Sequence, residues 1–264
     1  MLSVITATRF DRRMSNGKTW PCLLAGAKSD GEEVEVVAKF SAGCERKVGG
    51  LIAESIAAML AVDLDLPVPE PYLVEFDSDL ANWVPAHEVE LASRIRASAR
   101  VAFGSAKLPP GFSVLPKNKN IPQELRMLAA EIFAFDALIQ NPDRRPVNPN
   151  CQTDGKSFAI FDHELAFVMR GIIGWKPPWQ LGELDINRGP QHIFFADLKG
   201  RNLDFSRLEG AWLAISNTRL SEYRAALPTE WSADEGVTDE VLDYIMQVRN
   251  NIVPALAEVV RILS

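Results

Sequence analysis

The chain has 264 residues, which at ~100–200 residues per domain makes one large domain or two small lobes. Hydrophobic residues make up 47% and charged residues 24%, an ordinary globular balance that excludes a mostly disordered chain. The net charge of −7 works against gripping nucleic-acid phosphates, so no direct nucleic-acid binding is expected.

The first third reads as β-rich with one helix. Residues 21–27 form a short apolar run, Lys28-Ser29-Asp30-Gly31 a turn signal, and residues 34–40 (VEVVAKF) a second apolar run. That pattern predicts a hairpin. After Gly49-Gly50, residues 51–64 place Ile52, Ile56, Met59 and Leu60 on one helical face. A second stripe of Gly50, Glu54, Ala57, Ala58 and Ala61 sets Glu54 among small residues, where another element can come close. This helix should stop before Leu66-Pro67, because the residue before a proline avoids the helical region. Residues 69–76 (PEPYLVEF) read as a strand, 88–100 as a helix, and RVAFGS as a short strand entering a loop.

The Pro-, Gly-, Asn- and Lys-rich stretch 107–122 is the expected connection between two parts of the chain. Leu125, Leu128, Ile132, Phe135 and Ile139 then mark an amphipathic helix that ends at Asn141-Pro142. A hairpin should carry SFAIFDHELAF. Residues 170–200 are rich in Gly and Pro, with Trp175 and Trp179 expected in the core. Helices are predicted at 206–216 and 218–227. A last one should run from an N-cap at Thr238 to Leu263, kinked at Pro254.

Cys22, Cys44 and Cys151 lack Cys-x-x-Cys spacing, and His87, His163 and His192 lie far apart. Neither a disulfide framework nor a structural zinc is expected. No run approaches the ~18–20 apolar residues of a membrane span. The start, MLSVITATRFDRR, lacks the basic and apolar regions of a secretory signal, so the expected location is cytoplasmic.

The informative stretch is 131–167. Asp143 sits on the loop after a long helix, Asn148 follows five residues later, and Asp162 comes after a short apolar run. An acid, an amide oxygen and a second acid in that order suit phosphoryl transfer. One carboxylate orients a hydroxyl while the other two groups hold Mg²⁺ against phosphates. Upstream, Lys39 ends an apolar strand and Glu54 lies in the next helix, the pairing with which kinases hold nucleotide phosphates. Each residue also has a plainer reading. Asp143 can brace a turn, Lys39 can blunt an edge strand, and Glu54 can be a solvated helix residue. Asp136, beside Ile132 and Ile139, is expected to brace the loop rather than do chemistry. Ser15-Asn16-Gly17-Lys18 forms either a loop wrapping an anion with backbone amides or an ordinary turn.

With VVAKF, the Glu54 helix, LPVPEPYLVEF, FDALIQNPDRRPVN and IFDHELAF on the page, the chain resembles the HipA-like kinases, relatives of protein kinases and of the phosphatidylinositol-kinase group. The resemblance covers most of the chain. It implies an α+β, two-lobed kinase-like fold, with a β-rich lobe over 1–105 and a mainly helical lobe over 106–264. It implies Asp143 as the catalytic aspartate, and Asn148 and Asp162 as metal ligands. Lys39, held by Glu54, would meet the nucleotide as an exposed cleft lysine, with Ser15, Gly17 and Arg145 nearby. Arg145 stands where the family often has His, and can still neutralise a phosphate. Residues 103–105 would form the hinge meeting adenine. ATP and Mg²⁺ would be the cofactors. The implied activity is transfer of the γ-phosphate to a protein Ser/Thr or a small-molecule hydroxyl. Nucleotide transfer, and a pseudokinase or adaptor that binds without catalysis, are the rival readings. The chain is shorter than toxin-type members of that family, which leaves a toxin or antitoxin role unassigned.

Overall fold

The computed structural model describes residues 2–15, 17–116, 120–167, 174–184 and 190–264. It is a mixed α+β structure. Five strands close into a barrel in the order β1-β2-β3-β5-β4: β1 (Ser3–Arg13), β2 (Cys22–Ala27), β3 (Glu33–Lys39), β4 (Pro71–Glu75) and β5 (Val101–Ala106). The predicted hairpin is β2 and β3, paired antiparallel from Cys22–Ala38 to Ala27–Glu33. The long strand β1 was not anticipated. Only its Ile5 is buried, and its pairing with β2 shifts register twice, so it lacks the clean alternation that marks a half-buried strand. It closes the barrel by running parallel to β4.

The barrel interior is a core of its own, built from Ile5, Leu24, Val36, Tyr72, Val74 and Ala102 among others. The helix α2 (Val89–Arg96) packs Leu91 and Ile95 against it. It is shorter than the predicted 88–100 helix.

The helix α1 (Val48–Asp63) buries 13 of its 16 residues, so both of its stripes are interior. It belongs to a second and larger core with α3 (Arg126–Leu138), α5 (Ser206–Ala214), α6 (Asn217–Ala225), α7 (Glu235–Asn250) and α8 (Ile252–Leu263). The small stripe does admit a close neighbour: a Cβ on Gly50 would lie 3.1 Å from Cys44 Cβ and 3.8 Å from Glu164 Cβ. At its far end α1 is tied down. Asp63 accepts from Arg219 at 2.5 and 2.9 Å and from Tyr223 Oη at 2.5 Å. Arg207, paired with Glu131, donates to the Leu64 carbonyl.

The remaining strands β6 (Ser113–Val114), β7 (Cys151–Thr153) and β8 (Phe158–Ile160) make a small antiparallel sheet. Most of 170–200 is irregular where described, with a single turn of helix, α4 (Phe195–Leu198). Trp175 and Trp179 pack against Tyr244 in the larger core.

The C-terminal expectation needs correction. There is no single kinked helix starting at Thr238. α7 begins at Glu235, Thr238 is buried inside it, and the chain breaks at Asn251 (φ −121°, ψ 24°) before α8. Pro254 falls in the first turn of α8, where its missing N–H has no intrahelical partner to lose. Among the described residues no helix is long and apolar enough to cross a membrane.

Barrel closure makes one glycine critical. A Cβ on Gly104 would sit 2.7 Å from Val74 Cγ2 and 3.4 Å from Val36 Cβ, and both valines are fully buried. Gly104→Ala should therefore destabilise the fold by about 1–3 kcal/mol through overpacking. Chemical denaturation checks this, and an unchanged midpoint would contradict the packing.

Candidate active site

The site is assembled where β3, α1, the loop after α3 and the end of the β7–β8 hairpin converge. Lys39 is the last residue of β3, and its ammonium donates to Glu54 Oε2 at 2.8 Å and to Asp162 Oδ1 at 2.5 Å. The three residues are separated by 15 and 123 positions in sequence. Glu54 is 1% exposed and Lys39 only 8%, which corrects the picture of an exposed cleft lysine and of a solvated helix glutamate. Burial pulls the ammonium towards neutrality, but Asp162 and Glu54 outweigh it and hold the Lys39 pKa well above that of an ordinary lysine. Burial also acts to raise Glu54, and Lys39 with the His163 N–H brings it below the usual carboxylate range.

Asp162 lies two residues past the end of β8 and has φ 66°, in the left-handed region that non-glycine residues seldom occupy. Such conformations cost free energy and persist where the surroundings enforce them, characteristically at functional sites. Here the enforcement is visible: the next backbone N–H, that of His163, donates to Glu54 Oε2 at 2.8 Å. Arg46, just before α1, donates to the carbonyls of Glu164 and Ala166.

The loop after α3 is held from beneath by Asp136. Its carboxylate accepts from Arg144 Nε at 2.5 Å, Arg144 Nη2 at 3.1 Å, Asn141 Nδ2 at 2.7 Å and His192 Nε2 at 3.0 Å. Arg144 also reaches the carbonyls of Asn150 and Phe161, which ties the loop to the hairpin. Asp136 is thus a brace, as its place on the helix suggested. On top of this brace, Asp143 Oδ2 accepts from Asn148 Nδ2 at 2.7 Å and Asn150 Nδ2 at 3.3 Å. These bonds leave Asp143 Oδ1 and the Asn148 amide oxygen for other partners. Burial, and then the Asp162 charge, push the Asp143 carboxyl up from its ordinary value, against the pull of Asn150, Arg145 and Asn148.

A cavity of about 980 Å³ opens over these groups. Ser15, Gly17, Lys18, Lys39, Glu54, Asn148 and Asp162 line it, together with Ser105, Ala106, Lys107 and Leu108 at the end of β5. So Met14, Ser15, Gly17, Lys18, the Lys39–Glu54 pair, Asn148 and Asp162 share one space, and Asp143 is not part of its lining. Asn16 lies outside the described residues. Arg145 is not part of this lining. Its Nε donates to the Pro142 carbonyl at 2.6 Å, and it acts on Asp143 by charge.

Among the described residues no group of three or more His, Cys, Asp or Glu side chains forms a metal cluster. Among the lining groups, the Asp162 carboxylate and the Asn148 amide oxygen are hard oxygen donors. Few hard oxygen ligands, the rest coming from water and phosphates, is the donor set that suits Mg²⁺.

Sequence reading missed Arg144, Asn150 and His163. Arg144, within the run DRR, is 1% exposed. The signal for it was Asp136, an acid on a buried helix face that needs a cation.

A family model described as HipA-like kinase matches residues 8–256. The crystal structure of a Helicobacter pylori proinflammatory kinase, CtkA, superposes with a TM-score of 0.53 at 13% identity. The match covers 98% of this chain and 99% of that one. At that identity the likeness is one of fold. A search of curated proteins finds no match.

The Asp136–Arg144 pair is fully buried, so removing one partner strands the other. Asp136→Ala should cost about 3–5 kcal/mol. Arg144 and His192 hold Asp136 below the usual carboxylate range despite its burial. Its contribution is therefore present above the unfolded carboxylate pKa of about 4 and lost as pH falls towards the lower folded value. The stability gap between wild type and Asp136→Asn, measured by denaturation, should be full at neutral pH and shrink below about pH 4. A gap independent of pH would contradict the pairing.

Proposed function

The chain belongs to the HipA-like kinases, and from that premise we propose that it is an ATP- and Mg²⁺-dependent kinase that transfers the γ-phosphate to a protein Ser/Thr hydroxyl. The observation that carries this is Lys39 held between Glu54 and Asp162 at the edge of a cavity that Asn148 also lines. In this reading the chain is two-lobed, 1–105 and 106–264, with the cavity between the lobes.

The residues divide the work as follows. Lys39, fixed by Glu54, meets the nucleotide phosphates with its charge. The backbone around Ser15 and Gly17 covers them, and Lys18 and Arg145 add positive charge. Residues 105–108 face the base. Asn148 and Asp162 would hold Mg²⁺, which neutralises charge on the phosphates when bound. Asp143 accepts the proton of the acceptor hydroxyl as its oxygen bonds to the γ-phosphorus, and the bond to the β-phosphate bridging oxygen breaks, leaving ADP. Its raised pKa makes it a better proton acceptor than an ordinary aspartate. Most of the rate would come from positioning and charge stabilisation.

A protein acceptor is supported by the mouth of the cavity. Val114 is 52% exposed and Val147 80% exposed, beside Pro116 and Pro146. Among the described lining residues the only carboxylates are Glu54 and Asp162, both engaged with Lys39. A small cationic alcohol would find no acidic partner there, whereas an extended chain with an apolar neighbour would find apolar surface.

Incubation with γ-labelled and, separately, α-labelled ATP tests the reading. Label should enter protein from the γ position only and require Mg²⁺. Transfer from the α position would show nucleotide transfer, and ATP binding without label would show an adaptor. Asp143→Ala should lower turnover by about 10²-fold or more while ATP affinity holds. Wild-type turnover in that variant would remove Asp143 from the chemistry.

A further inference from the structure

His163 has no role in the function as just described, yet its ring and its backbone tie together groups from different parts of the site. The side chain is 1% exposed and stands edge-on to Phe135, with ring centres 5.8 Å apart. Its Nε2 lies 2.9 Å from Arg144 Nη2. A guanidinium only donates, so Nε2 is the acceptor, and a neutral ring then carries its proton on Nδ1. That Nδ1 lies 3.7 Å from Glu54 Oε1 and has no hydrogen-bond partner among the described atoms. Buried N–H groups without partners are uncommon, and this one stands beside a buried carboxylate whose other oxygen already accepts the His163 backbone N–H. His163 thus donates its backbone N–H to Glu54, offers its ring Nε2 to Arg144, and holds its ring Nδ1 3.7 Å from Glu54 Oε1.

The result is one polar chain across the protein: His192, Asp136, Arg144, His163, Glu54, Lys39 and Asp162. Arg144 adjoins Asp143, and Glu54 fixes Lys39. His163 is where the two halves of this chain meet: its ring bonds Arg144, beside Asp143, and its backbone N–H bonds Glu54. Lys39 is shared between two carboxylates, so Glu54 depends on further donors to stay ionised and in place.

We propose that His163 is a positioning residue for phosphoryl transfer. Its ring, bonded to Arg144, and its backbone N–H, bonded to Glu54, set the Glu54–Lys39 pair at a fixed place relative to the Asp143–Arg144 loop. This rests on the function proposed above.

The test uses His163→Phe, which keeps a ring against Phe135 but lacks the acceptor, and His163→Gln, whose amide oxygen can accept from Arg144. Arg144 Nη2 retains Asp136 Oδ1 at 3.1 Å, so the Phe variant should fold. In the labelled-ATP assay His163→Phe should lose about tenfold in kcat with little change in KM for ATP, and His163→Gln should recover most of it. Should the Phe variant not fold, His163→Asn, whose amide stops short of Arg144, takes its place. A second readout needs no activity. The melting temperatures of His163→Phe, Glu54→Gln and the double variant should be non-additive, the double losing less than the sum. Wild-type kcat in His163→Phe, a Gln variant no better than Phe, or additive melting shifts would each overturn the proposal. A wild type that transfers no phosphate would end the kinase reading, and the melting cycle alone would then decide whether His163 couples to Glu54.

Discussion

A buried ammonium has to be surrounded by negative charge, and Lys39 is surrounded by two carboxylates from distant parts of the chain. That single requirement fixes three elements against one another: the last residue of β3, a residue inside α1 and a residue two past the end of β8. The cost of desolvating three ionisable groups is recovered only if their geometry is held tightly. Much of the surrounding structure supplies that holding. α1 is interior on both stripes and anchored at its end by Arg219, Tyr223 and Arg207. Arg46 clamps the backbone just after Asp162.

A second buried pair, Asp136 with Arg144, does for the loop of Asp143 what α1 does for Glu54. It lies under the loop and reaches the hairpin through the carbonyls of Asn150 and Phe161. The surface above it is then free to present Asp143, Asn148 and Asn150 as a small hydrogen-bonded group. Two residues that these contacts hold take left-handed backbone, Asp162 at φ 66° and Asn150 at φ 45°. Rigid support beneath and polar groups above is the arrangement that positioning catalysis needs.

Much of this was legible in the sequence. The alternation and turn of the β2–β3 hairpin, the stripes of α1 and α3, and the order Lys39, Glu54, Asp143, Asn148, Asp162 all left local patterns. What stayed hidden was non-local. β1 carries little buried surface, so its strand character comes from its neighbours β2 and β4. The burial of Lys39 depends on a partner 123 residues away, and no window of sequence shows that. The break at Asn251 was misplaced to Pro254, because proline is the stronger signal in sequence while the first turn of a helix tolerates it.

The central claim is that Lys39, Asn148 and Asp162 form a site for a nucleotide with its divalent cation. Calorimetric titration of the wild-type chain with ATP, in the presence and in the absence of Mg²⁺, addresses it most directly. Saturable binding that is markedly tighter with Mg²⁺ is the expected result, since the Asp162 carboxylate and the Asn148 amide oxygen offer hard ligands in the cavity that Lys39 also lines. Equal affinity in both conditions, or no heat in either, would contradict it.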